Sequence, residues 1–126
     1  MSQYTEGQFK NFKAGADLSA KQYFIMKSSA EGEVNISTAA TDKLLGTLDN
    51  KPKAGENASV SLRHGGGTHK VKLGDTVNAV GLYLTSDSAG KAVATTSAGN
   101  QVLGLSLEAG VDGDIIEYMP VFWVYA

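Results

Sequence analysis

A chain of 126 residues is one domain by length, or two very small units sharing a core. Apolar residues at 42% can fill a core, charged residues at 19% are too few for a disordered chain, and without cysteine neither disulfides nor thiolate metal sites hold the fold. A net charge of −2, and a basic segment without interleaved aromatics, argue against nucleic acid as a partner.

The opening stretch MSQYTEGQFKNFKAG is polar throughout and lacks the basic-then-apolar pattern of a signal peptide. Residues 1–13 carry Tyr4, Phe9 and Phe12 on a background with neither helix nor strand period. They are expected to form a flexible N-terminal arm that orders against a partner, ahead of a single β domain over 14–126. QYFIM is a short apolar run that fits a strand, and STAATDKLLG, with a Thr cap, an Ala-rich interior and Gly46, allows one short helix. ASVSL then alternates, with Ala58, Val60 and Leu62 facing one way.

The stretch RHGGGTHKVKLGD invites comparison with a phosphate-binding loop. That loop needs G-x-x-x-x-G-K-[ST] between a strand and a helix, whereas here the lysine follows Thr-His and the next segment reads as a strand. Residues 63–72 therefore read as a Gly-rich hinge, with His64 and His69 as exposed loop histidines rather than metal ligands. Beyond it GLYLTSD and QVLGLSLE alternate, the latter placing Leu103, Leu105 and Leu107 on one face. SDSAGK and AGVDGD are turn clusters, so Asp112 and Asp114 read as turn residues, and DIIEYM continues as a strand. No serine elbow and no placed general base are present, so neither catalysis nor a cofactor is expected. The chain is also polarised: Lys43 to Lys72 holds six bases, Lys51 and Lys53 among them, against two acids, while four acids and no base follow Lys91. Such polarity suits oriented docking, or an ordinary solvated surface.

The last residues, YMPVFWVYA, concentrate Phe122, Trp123 and Tyr125 and are far too short to span a membrane. Residues 120–126 are expected to form an aromatic C-terminal strand, either completing the core or docking another chain.

Glycine spacing exposes an internal duplication. Gly32, Gly46 and Gly55 are spaced by 14 and 9 residues, as are Gly90, Gly104 and Gly113, and the two sets are offset by 58. Flanks agree in character: LLG faces VLG, and before the first glycine ADLSAKQYFIM faces DTVNAVGLYLT with a one-residue shift. Two related β units, 14–62 and 73–119, are expected to build a small barrel or tulip-like all-β domain with at most one or two short helices.

The second unit also carries GDTV, LTSDSAGKAV, VLGLSLEAG and GDII in that order. This order resembles small phage proteins that decorate or cement capsids, akin to lambda-type head decoration proteins, over roughly residues 43–119. The resemblance implies a β-rich barrel that assembles as a homotrimer on the outer capsid surface, binds the major capsid protein and stabilises the shell. It implies a virion location after assembly in the host cytoplasm, with no catalytic residue, cofactor or metal. Candidate contact residues are Tyr4, Phe9, Phe12, Lys51, Lys53, Phe122, Trp123 and Tyr125. A tail- or fibre-associated β domain of a phage particle, or a small carbohydrate- or ligand-binding β module using Trp123 and Tyr125, are the alternatives.

Overall fold

Ten strands and no helix make up the regular structure of the described residues, 9–63 and 67–126, of the computed structural model. In chain order they are β1 (Phe9–Ala14), β2 (Ile25–Ala30), β3 (Glu33–Ile36), β4 (Leu44–Leu48), β5 (Asn57–Leu62), β6 (His69–Lys72), β7 (Tyr83–Ser86), β8 (Ala92–Ala94), β9 (Gln101–Ser106) and β10 (Ile115–Val124). The first five close into a barrel in the order β1-β3-β2-β4-β5, and the rest form a sheet in the order β6-β10-β9-β7-β8. The all-β class and the small barrel read from the strand and turn pattern are what the chain adopts. The helix allowed for STAATDKLLG does not form. The Asp42 carboxylate accepts the Thr38 and Ala39 N–H groups and the Ser37 hydroxyl, folding the segment into a turn that leads into β4.

The two sheets repeat one pairing scheme. In the first, Ile25 pairs with Thr47 and Thr47 with Ser61; in the second, Tyr83 pairs with Leu105 and Leu105 with Met119, each 58 positions on. Met26 opposite Ile36 recurs as Leu84 opposite Ala94, and Phe12 opposite Ala58 recurs as Val71 opposite Ile116. Where β1 and β3 close the barrel through Ala14 and Val34, the second sheet has a single bridge between their counterparts, Leu73 and Ala92. Two hydrogen bonds at that seam go to the first unit instead: Lys72 N–H donates to the Tyr23 carbonyl, and Ile25 N–H to the Gly90 carbonyl. The first unit thus enters the seam of the second.

Several boundaries differ from those read in the sequence. Residues 9–13 are strand, not arm: Phe9 through Lys13 pair with Ser61 through Asn57 of β5, and Lys13 and Ala14 with β3. Their hydrophobic period is weak because only Phe12 and Ala14 turn toward the core. Residues 69–72 are likewise strand rather than hinge, since β6 holds the edge of β10. Residues 1–8 and 64–66, with Tyr4, His64, Gly65 and Gly66, lie outside the described residues. The one-residue shift falls before Gly81, so Tyr23, not Gln22, is the counterpart of Gly81. Tyr23 N–H donates to the Leu48 carbonyl as Gly81 N–H donates to that of Ser106. Tyr23 also has φ +70, matching +79 at Gly81, and is the one non-glycine residue at positive φ among those described.

Gly46 and Gly104 explain why the spacing of glycines is legible. A Cβ at Gly46 would collide with the Ser61 carbonyl, and one at Gly104 with the Met119 carbonyl, because the neighbouring strand crosses close there. The ladder slips at the same place, Met26 and Lys27 pairing with Gly46 and Leu44, so Leu45 bulges out of register. The expected common face of Leu103, Leu105 and Leu107 is not kept along β9, whose ladder with β10 slips between Pro120 and Trp123: Leu103 is fully buried, Leu105 half-buried and Leu107 exposed.

Core positions correspond as well. The first core includes Ala14, Leu18, Met26, Ala58 and Val60, and the second Leu73, Val77, Leu84, Ile116 and Tyr118 at the matching places. Ile25 and Leu44 of the first unit join the second core, so the first unit contributes to both cores.

Candidate docking surface

Where β5 ends and the chain turns at Arg63, β10 runs on for four more residues past Pro120. After an irregularity between Pro120 and Trp123 it pairs Trp123 with Val102 and Val124 with Gln101. Tyr125 N–H donates to the Asn100 carbonyl, and Gly99 N–H donates back to that of Tyr125. Alternation along this extension sends Trp123 and Tyr125 to one side, where both meet Tyr83. The ring centroids are 4.9 Å apart for Tyr83–Trp123, 5.8 Å for Tyr83–Tyr125 and 5.2 Å for Trp123–Tyr125, in tilted or edge-on arrangements.

Phe122 points elsewhere. Its ring lies 4.3 Å from the Arg63 guanidinium carbon and is itself 71% exposed. Beneath it Arg63 is 3% exposed, donating from Nη1 to Gln101 Oε1 and the Val102 carbonyl and from Nη2 to Gln101 Oε1, while Nε has no partner. Burial lowers the Arg63 pKa, but guanidinium remains charged at any physiological pH. A buried cation under an exposed ring makes a rigid aromatic platform held by cation–π attraction.

Of the residues expected to make contacts, Tyr4 lies outside the described residues. Phe9, 58% exposed, begins β1, and Phe12 packs against the first core. Phe122, Trp123 and Tyr125 come together on the extension, with Tyr83 and Arg63 as partners that the sequence did not single out. Lys51 and Lys53 are exposed in the turn that precedes β5, at the Asn57 end of the β1–β5 ladder, whereas Phe9 stands at the Ser61 end. The basic turn and Phe9 therefore occupy opposite ends of the barrel.

A polar cleft of about 290 Å³ separates the two units, lined by Tyr23, Thr47, Asp49 and Ser61 on one side and Thr68, His69 and Lys70 on the other. His69 is half-buried in β6 rather than an exposed loop residue, edge-on to Tyr118 at 6.0 Å, and its Nε2 is buried without a partner. Desolvation pulls its pKa below the usual value, against smaller opposing effects of the Leu62 carbonyl and Asp49, so the ring is neutral at pH 7. The Tyr118 hydroxyl meets Oγ1 of the cleft-lining Thr47 at 3.1 Å, and burial raises the Tyr118 pKa far above normal. At the acidic end Asp112 lies 3.7 Å from Lys91, and Asp114 accepts the Val111 N–H as a turn residue. Among the described residues no three His, Asp or Glu side chains converge as metal ligands would.

This fold is similar to that of the head fiber gp8.5 N base of bacteriophage phi29. The TM-score is 0.70 at 17% identity, over 90% of this chain and 92% of that one. No protein-family model and no curated relative matches the chain.

Proposed function

We propose that this chain is a structural protein of a phage particle that binds the outer surface of the assembled capsid and stabilises it, without catalysis. The observation that carries this reading is the likeness in fold, over nearly the whole of both chains, to the base of a phage head fiber. The order of motifs in the second unit, which resembles that of capsid decoration proteins, also supports it. In this reading the partner is the major capsid protein, and the protein joins the shell as a homotrimer after the shell has assembled in the host cytoplasm. Phe122, rigid on Arg63, is the aromatic offered to the shell. One such contact is weak, but three engaged at once gain from effective concentration.

The test is to mix the purified protein with expanded, undecorated shells and sediment them. Saturable co-sedimentation and a raised melting temperature of the shells are expected, with Phe122→Ala weakening binding by about tenfold, the usual scale of an aromatic anchor. Protein that stays in the supernatant would refute capsid binding. A second reading, a base domain that anchors a fibre, is favoured by the same structural neighbour. It predicts capture by a fibre stalk rather than by bare shells.

A further inference from the structure

The internal repeat reveals an unmade contact. In the first unit Ile25, Thr47 and Ser61 form a row across β2, β4 and β5, and the second unit covers it. Ile25 enters the second core, Thr47 bonds the Tyr118 hydroxyl, and Thr68, His69 and Lys70 face Thr47, Asp49 and Ser61 across the cleft. The same row in the second unit is Tyr83, Leu105 and Met119, with Leu107 at the place of Asp49. The tail rings cover Tyr83, yet Met119 is 41% exposed and Leu107 40%. At the other end of the chain, the residue of the first unit that corresponds to Thr68 is Phe9, also exposed.

The leading residue of each edge matches the row it faces in polarity. Within the chain a row of Thr, Asp and Ser meets Thr, His and Lys. At the free ends Leu107 and Met119 stand exposed beside the half-buried Leu105, and the segment at the place of Thr68, His69 and Lys70 is Phe9, Lys10 and Asn11, led by an exposed phenylalanine. Contiguous exposed apolar side chains at such a place mark a docking site. The chain itself carries the complementary edge.

We propose that a second copy of this chain docks its first unit, with Phe9 leading, onto the face of Leu105, Leu107 and Met119, repeating between chains the contact that joins the two units within one. Such a contact is head to tail: each copy keeps one face of each kind free, so association closes into a ring or grows. It gives the assembly part of the proposed function a specific surface. It is tested on the protein alone, without shells, so failure to self-associate and failure to bind capsids are separate results.

Sedimentation velocity of the full chain over a concentration series is the measurement. The wild type associates in the micromolar range expected of a modest interface, and Met119→Glu and Phe9→Glu each weaken association by about tenfold or more. Both side chains are exposed, so the variants keep their fold, checked by circular dichroism; Leu107→Glu replaces Met119→Glu if that variant unfolds. The decisive sample is the mixture of Met119→Glu with Phe9→Glu. One intact face of each kind remains, so the mixture forms a heterodimer that grows no further. A wild type that stays monomeric to about 100 µM, association unchanged by both variants, or a mixture that stays monomeric would each overturn the proposal.

Discussion

The hydroxyl pair of Thr47 and Tyr118 joins the two units through a contact spanning 71 residues of sequence, and both side chains are almost fully buried. Tyr118→Phe removes one hydroxyl and leaves the other desolvated without a partner, which costs about 1–2 kcal/mol. Thr47→Val strands the tyrosine hydroxyl at a similar cost, whereas the double variant removes both polar atoms and leaves no orphan. The two single changes together should therefore cost more than the double by about 1 kcal/mol. In a chain of 126 residues, each single variant should melt about 4–8 °C lower. Equilibrium urea unfolding of the four proteins at pH 7 measures the cycle, with equal m-values as the check that the unfolded states match. Alkaline pH gives an independent reading. Because burial raises the folded pKa of Tyr118, its contribution is fully present below the ordinary tyrosine pKa of about 10 and is lost as pH rises above that value. Tyr118→Phe should flatten that loss. Single-variant costs that add to within about 0.5 kcal/mol would refute the buried pair.

Gly104→Ala should destabilise by about 3 kcal/mol or more, seen as a drop in urea midpoint, because the new methyl meets the Met119 backbone rather than a side chain that can move. Deleting residues 1–13 should abolish cooperative folding by circular dichroism, since it removes β1 and opens the barrel; a deletion mutant that melts like the full chain would contradict the observed ladder. For His69 the folded pKa is depressed, so its contribution is complete above the unfolded value of about 6.5 and is lost as pH falls through the folded pKa. Between pH 7.5 and 5.5 the wild type should lose more stability than His69→Gln, and NMR titration of the ring should show the depressed midpoint.

The duplication was legible because its signal is steric. Gly46 and Gly104 sit where an adjacent carbonyl leaves no room for a side chain, so their spacing reports the fold directly. Features set by distant partners were not legible. Phe9–Ala14 looks structureless alone because its pairing partners lie in β3 and β5, and one broad side of the strand faces water. The turn at Thr38–Asp42 looked helical because composition does not show that one carboxylate captures two backbone N–H groups. Strict alternation failed along QVLGLSLE because Val102, Leu103 and Gly104 are all buried where the β9–β10 ladder slips between Pro120 and Trp123. In the aromatic tail, Phe122, Trp123 and Tyr125 were visible as an unusual cluster, but their partners were not. Tyr83 reads as an ordinary strand residue, and Arg63 as the edge of a glycine loop. Only the β10 extension, by pairing on along β9, brings them together.

Electron cryomicroscopy of intact particles of the proposed source phage tests the central proposal, a place on the capsid surface, most directly. The account predicts density for the ten-stranded fold on the outer face of the head, in contact with the major capsid protein. The fold should appear in copies related head to tail, through the face of Leu105, Leu107 and Met119. Density for it only along a tail or a fibre shaft, or none on the particle at all, would contradict the account.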